Sequence, residues 1–247
     1  DKNYDMDKLG FASSDLPVEC DLSKYVSQVL NQGGTSSCVA HMTAHAIDIL
    51  ETRAGLEYKP VSRLFVYYHA RRLHSQVVRD SGTFIRLAMR AMKHHGVPDE
   101  EYWPFNKLRI NRRPSWFSET RGYQRRDGAY YHILGSGDDR VESIKASLNE
   151  GYPVGFGTSI TADFRNTSGM DVVDKPKEGD EILGGHAILC VGYRQDRDFG
   201  TLYKILNSWG TKYKMQGYVW LTEDYMTWSG SRDFHIIKGW ERIRKGA

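Results

Sequence analysis

The chain is poor in the residues that mark specialised protein classes. Its 247 residues include three cysteines, Cys20, Cys38 and Cys190. Three thiols permit at most one disulfide, which excludes a small disulfide-held scaffold and suits a mostly reduced protein. Prolines number only 7, and no internal repeat, low-complexity tract or flexible linker breaks the sequence. No apolar run approaches the roughly 20 residues of a membrane span. No signal peptide opens the chain, so nothing in it indicates a membrane or assigns a compartment. It begins on Asp1 rather than methionine, and no stretch reads as an inhibitory prosegment. Charge of one sign is also lacking: 34 Lys and Arg stand against 31 Asp and Glu, a net +3. That excess is too small to imply nucleic acid, and the local basic stretches Arg109 to Arg113 and Arg121 to Arg126 read as solvated surface.

What is present is an ordinary globular composition, 40% hydrophobic and 26% charged, with 15 Tyr and 6 Trp that favour a sheet-rich portion. Helical periodicity dominates the first part. Val39 to about Arg53 carries an apolar stripe at Met42, Ala46, Ile49 and Leu50 and stops at Gly55; Arg63 to about Leu73 follows, and a third helix runs from beyond Thr83 to Gly96. After Gly122 the pattern turns to short Tyr-, Ile- and Val-rich runs between Gly and Asp turns, near 129–134, 154–160, 186–193, 201–206, 217–221 and 234–237. One helix, Asp138 to Glu150, interrupts them. The expected fold class is α+β: residues 1–119 mainly helical, residues 120–247 an antiparallel, barrel-like half, the two intimately packed with a cleft between and the termini free to cross over.

Three segments could do chemistry together. Asn31-Gln32-Gly33-Gly34-Thr35-Ser36-Ser37-Cys38 is loop-like and runs into the first helix, with a Ser or Thr placed to cap it. Cys38 then sits in the first turn, where unpaired N–H groups and the helix dipole favour thiolate over thiol. Gly184-Gly185-His186-Ala187 opens a strand with an imidazole at its head. Ile205-Leu206-Asn207-Ser208-Trp209-Gly210 ends another strand with an amide able to accept a hydrogen bond from an imidazole N–H, beside an indole able to keep water from it. A thiol, a base, a group to orient the base and an oxyanion donor are what acyl transfer requires.

In order and type these segments resemble the papain-like (C1) cysteine peptidases. Gln32 lies six residues before Cys38, and Gly-His-Ala and Asn-Ser-Trp-Gly follow downstream. The 148 residues from Cys38 to His186 fall within the roughly 130–150 characteristic of that family. Further resemblances are Leu16-Pro17 to Leu22, Ser81-Gly82 with the helix to His95-Gly96-Val97, Tyr102-Trp103-Pro104-Phe105, Gly151-Tyr152-Pro153-Val154 and Gly217-Tyr218-Val219. The resemblance implies a papain-like two-domain fold and a thiol endopeptidase. Cys38 would be the nucleophile, held as a thiolate–imidazolium pair with His186, and Asn207 would orient the imidazole. Gln32 and the Cys38 N–H would form the oxyanion hole. Ser81, Gly82, Gly184, Gly185 and Trp209 would contact substrate, Trp209 also covering the His186–Asn207 bond. The substrate would be an extended polypeptide, with no nucleic-acid or membrane partner, and the enzyme would act as a monomer.

The departures from the family pattern carry information. Thr35 stands where a disulfide-bonded cysteine is usual, and no cysteine lies near Ser81 to partner one; this points to the disulfide-poor prokaryotic or viral-type branch. Val39 replaces an aromatic residue. Lys212-Tyr213-Lys214-Met215-Gln216-Gly217-Tyr218 departs from the usual Gly-Trp-Gly-Glu-Asn-Gly-Tyr. Three other readings stand beside hydrolysis. His41 and His45 share a helix face as zinc ligands do, but Met42 removes the Glu of an HExxH motif and no third ligand is evident, so no metal or cofactor is expected. His94-His95 at a helix end reads as structural. The acyl-enzyme could pass to an amine, as in a transamidase or ligase, or the scaffold could bind peptide without cleaving it.

Overall fold

The helix expected after Cys38 forms as α1, Cys38–Arg53, and it is far more buried than an amphipathic stripe requires. Every residue from Val39 to Glu51 is buried, polar ones included, so α1 is a central core helix. Several of its polar groups are answered internally, though His41 Nε2 and His45 Nδ1 have no hydrogen-bond partner. Thr43 Oγ1 donates to Val39 O (2.8 Å), Leu30 N to His45 Nε2 (3.0 Å), and Ser27 N to Asp48 Oδ2 (2.8 Å). The pair His41 and His45 is therefore core structure. Among the described residues, which in this computed structural model are 2–4, 16–75, 77–126, 128–168 and 171–240, no third ligand joins them.

Around α1 stand α2 (Arg63–Arg72), capped by Ser62 Oγ accepting from Phe65 N, and α3 (Ile85–His95). An eight-residue helix not expected from the sequence follows, α4 (Trp116–Tyr123), capped by Ser115 Oγ accepting from Ser118 N. The boundary expected between residues 119 and 120 thus falls inside a helix. Beyond it come α5 (Gly137–Asn149), α6 (Ala162–Arg165) and α7 (Glu223–Thr227).

The strands are β1 (Lys2–Tyr4), β2 (Glu19–Asp21), β3 (Ala129–Ile133), β4 (Val154–Ile160), β5 (Val172–Val173), β6 (Gly184–Asp196), β7 (Gly200–Leu206), β8 (Tyr218–Thr222) and β9 (Ser231–Lys238). They form one mostly antiparallel sheet in the order β1-β3-β9-β4-β6-β7-β8-β5, with β2 attached to β6. The N-terminal segments, expected within the mainly helical half, thus cross to the sheet, β1 pairing with β3 and β2 with β6. The arrangement is α+β, helices against a large sheet.

Two features of register place the site. Helix α1 packs on β4 where Gly155 leaves room: a Cβ there would lie 2.3 Å from Met42 Sδ. On the next strand, Leu189 of β6 pairs with Leu206 of β7, so Asn207 leaves the ladder towards His186. His186, third rather than first in β6, pairs with Thr158 of β4.

Burial also fixes an acid limit to stability. Desolvation pushes His41 and His45 down to about 3, with Ser37 and Gln28 carbonyls opposing it only weakly. Their neutral forms persist in the folded protein while the unfolded chain takes up protons below its ordinary value near 6.5, so stability rises with pH across the window from about 3 to 6.5. Thermal unfolding at pH 7, 6 and 5 is expected to give a Tm that falls with each step; a Tm flat from pH 7 to 5 would contradict it.

Candidate active site

Cys38 is the first residue of α1, so its N–H is among those a helix leaves without an intrahelical partner. The expected side-chain cap is absent. Ser37 Oγ turns inward instead, 2.7 Å from Thr35 Oγ1 and 3.2 Å from His41 Nδ1. Thr35 Oγ1 donates to Gln32 O (2.8 Å) and Gln32 Nε2 to Thr35 O (2.7 Å). Loop 32–37 is thus a closed polar knot.

The Cys38 sulfur is half-buried and lies against the backbone N–H groups of Ala187, Val39 and Cys38 itself. Contact with Ala187 puts the helical thiol beside the strand residue next to His186. His186 Nε2 is 2.8 Å from Asn207 Oδ1, which also accepts from Ser208 N at 2.7 Å. Trp209 stacks on the imidazole with centroids 4.8 Å apart and planes 26° from parallel. Phe164 packs edge-on to both His186 (6.2 Å) and Trp209 (5.7 Å). The amide–imidazole bond is therefore walled by aromatic rings, in a site of low dielectric where it is strengthened.

Burial acts on the two ionisable groups in opposite senses. It pushes the Cys38 thiol up, against the N–H contacts that favour thiolate, and draws His186 down to about 4, against the bond to Asn207. Either charge alone is disfavoured.

Gln32 belongs to the same assembly. Its N–H donates to Ser208 O (2.9 Å), its Oε1 accepts from Ser208 Oγ (2.7 Å), and Asn31 pairs with Trp209 as an antiparallel bridge. The loop before Cys38 is thereby stitched to the loop carrying Asn207. Its amide nitrogen keeps a second hydrogen after Thr35 takes the first.

The expected substrate-contact residues divide. Gly184 is half-buried and Gly185 exposed, and a Cβ on either would meet nothing within 4 Å, so they border open space beside His186. Ser81 is exposed and Gly82 half-buried, close to Ser36. Gly82 N, however, donates to Tyr67 Oη at 3.0 Å, so its N–H is engaged inside the protein. The exposed side chains of Phe84, Ile182 and Leu183 adjoin these glycines in the chain.

Sequence reasoning missed what replaces the family's disulfide. Asp80 accepts Ser36 N with both carboxylate oxygens (3.1 Å each), and its carbonyl accepts Ser36 Oγ (3.1 Å). Tyr67 Oη donates to Asp80 Oδ1 (2.6 Å), and buried Arg71 binds the carbonyls of Arg79 and Ile110. A carboxylate clip thus holds loop 79–82 to the Cys38 loop. The only hint in the sequence was an acidic residue beside Ser81. A cavity of about 750 Å³ opens elsewhere, lined by Cys20, Arg53 and Lys204 among others, and includes none of these residues.

Comparison with known proteins gives the family and the fold. The sequence profile of the papain family cysteine proteases matches residues 16–234, and the chain belongs to that family. It is 29% identical over 218 residues to an uncharacterised peptidase C1-like protein of Acanthamoeba polyphaga mimivirus, covering 85% of this chain and 69% of that one. Its structure is similar to xylellain, a cysteine protease from Xylella fastidiosa, with a TM-score of 0.85 and 28% identity over 96% of this chain and 91% of that one. The bromelain protease from Ananas comosus shares the fold, with a TM-score of 0.67 at 16% identity over 90% of this chain and 98% of that one. The protein is a cysteine peptidase, a hydrolase acting on polypeptide, and among its described residues no helix is long and apolar enough to cross a membrane.

Proposed function

We propose that Cys38 and His186 form the catalytic pair of a thiol endopeptidase acting on extended peptide. The observation that carries this reading is the 2.8 Å bond from His186 Nε2 to Asn207 Oδ1 under the Trp209 ring, with the Cys38 sulfur against the adjoining Ala187 N–H. The thiol passes its proton to His186, and the thiolate adds to the scissile carbonyl. The second Gln32 Nε2–H and the Cys38 N–H donate to the oxyanion. His186 returns the proton to the leaving amine, leaving a Cys38 thioester. Water, deprotonated by His186, then displaces the thiol and releases the acid product. The domain division proposed with it assigns the sulfur to the helical half and the imidazole to the sheet half.

The exposed ground around Gly184 and Gly185 would admit an amine as readily as water, so transfer to an amine is the competing outcome for the same thioester. The test is to incubate wild type and Cys38→Ala with a peptide and an added amine and analyse the products by mass spectrometry. Hydrolysed product from wild type alone is expected. Predominant amide product would make the enzyme a transamidase, and equal cleavage by Cys38→Ala would remove Cys38 as nucleophile. Binding without any Cys38-dependent product would leave only a peptide-binding scaffold.

A further inference from the structure

On the side of the helical half formed by α2, α3 and α4, three side chains converge that the peptidase chemistry does not use. His69 of α2 is 1% exposed, and neither of its ring nitrogens has a hydrogen-bond partner. Its Nε2 lies 3.2 Å from Glu119 Oε2 of α4, at an angle that makes no hydrogen bond. The same Glu119 oxygen is 3.9 Å from Nδ1 of His95, the last residue of α3, and the other, Oε1, is buried without a partner. An unpartnered imidazole and carboxylate in a dry contact are costly to bury.

We infer that His69, His95 and Glu119 form a binding site for a divalent transition cation of the zinc type. Zinc holds imidazole nitrogen and carboxylate oxygen at about 2.0–2.1 Å in a tetrahedron, which sets ligand atoms about 3.4 Å from one another. The observed 3.2 and 3.9 Å bracket that spacing, and all three ligand atoms lie within 4.8 Å of one another. The rings of His69 and His95 lie side by side with centroids 3.9 Å apart, so both imidazoles stand beside the same Glu119 oxygen. One cation would use the lone pairs that the protein leaves unanswered, and half-exposed His95 leaves a route for it and for a water as fourth ligand.

The backbone is shaped for this convergence. Gly96 ends α3 with φ +70°, and a Cβ there would fall 1.7 Å from Gly122 O; a Cβ on Gly122 would fall 2.9 Å from His95 O. Two glycines therefore let α3 and α4 touch, which carries His95 to Glu119. Arg72 and Arg113 act on the same cluster and temper its affinity for a cation. The other convergent set, His132, Asp233 and His235, differs in that buried His235 Nδ1 is already 3.0 Å from Asp233 O.

The site is independent of the proposed catalytic pair, and its test keeps the two apart. The full chain carrying Cys38→Ala, which removes a competing thiol–imidazole site, is stripped with chelator and titrated with Zn²⁺ by calorimetry. Thermal unfolding is followed with and without the metal. The expectation is one Zn²⁺ per chain and a raised Tm. His95→Ala and Glu119→Gln, both at partly exposed positions and checked for native folding by circular dichroism, are each expected to weaken binding at least ~10-fold. Co²⁺ in the parent should give the intense visible bands of tetrahedral coordination, lost in both variants. Absence of binding and of any Tm change, or equal binding by parent and variants, would overturn the inference.

Discussion

Alanine in place of His186 is expected to lower kcat/KM on a peptide substrate by about 10⁴- to 10⁶-fold, the scale on which a catalytic base is lost from a nucleophile–base pair. The physical reason is that burial pushes the Cys38 thiol up, so without an imidazole to take its proton the sulfur stays a thiol, and the leaving amine has no acid. Asn207→Ala should be milder, about 10²-fold, because the base remains and only its aim and proton affinity suffer. The bond to Asn207 is what raises His186 against its burial, so this variant should also move the basic limb of the kcat/KM profile, where the imidazolium loses its proton, to lower pH. Steady-state kinetics across pH decides it; an Asn207 variant less active than the His186 variant would reverse the assigned roles.

Gln32→Ala is expected to lower kcat by about 10²- to 10³-fold with little change in KM, the cost of one oxyanion donor. Alanine also breaks the bonds to Thr35 and Ser208, so a second substitution separates chemistry from architecture. Gln32→Glu keeps an oxygen to accept from Ser208 Oγ but replaces the donating nitrogen with an acceptor facing the developing negative charge. It should be at least as impaired as alanine. A Gln32→Glu enzyme with near wild-type kcat would mean that Gln32 serves only to stitch the loops together.

The parts of the site readable in the sequence were those at element ends with a local signature: Cys38 after a glycine- and serine-rich loop, His186 after two glycines, Asn207 beside Trp209 at a strand end. The helices beginning at Arg63 and near Ile85 and the strands at 154–160 and 201–206 follow from periodicity and are observed at Arg63–Arg72, Ile85–His95, Val154–Ile160 and Gly200–Leu206. What escaped depends on distant partners. Ser36 and Asp80 are 44 residues apart, and Gln32 and Ser208 are 176 apart, so no window of sequence contains either bond. The inward turn of Ser37 followed from the burial of His41, which no helical stripe announces. Short β1 and β2 are strands only because β3 and β6 offer them edges.

The union of a helical sulfur with a strand imidazole is tested most directly by the rate of Cys38 alkylation with iodoacetamide as a function of pH, read by peptide mass spectrometry. In the wild type, alkylation should be confined to Cys38 and already substantial at mildly acidic pH, where the thiolate is held by protonated His186. In His186→Ala the same reaction should appear only above the ordinary thiol range, because burial then acts on the sulfur unopposed by a partner. Superimposable profiles for the two proteins, or labelling of Cys20 in preference to Cys38, would contradict the pairing.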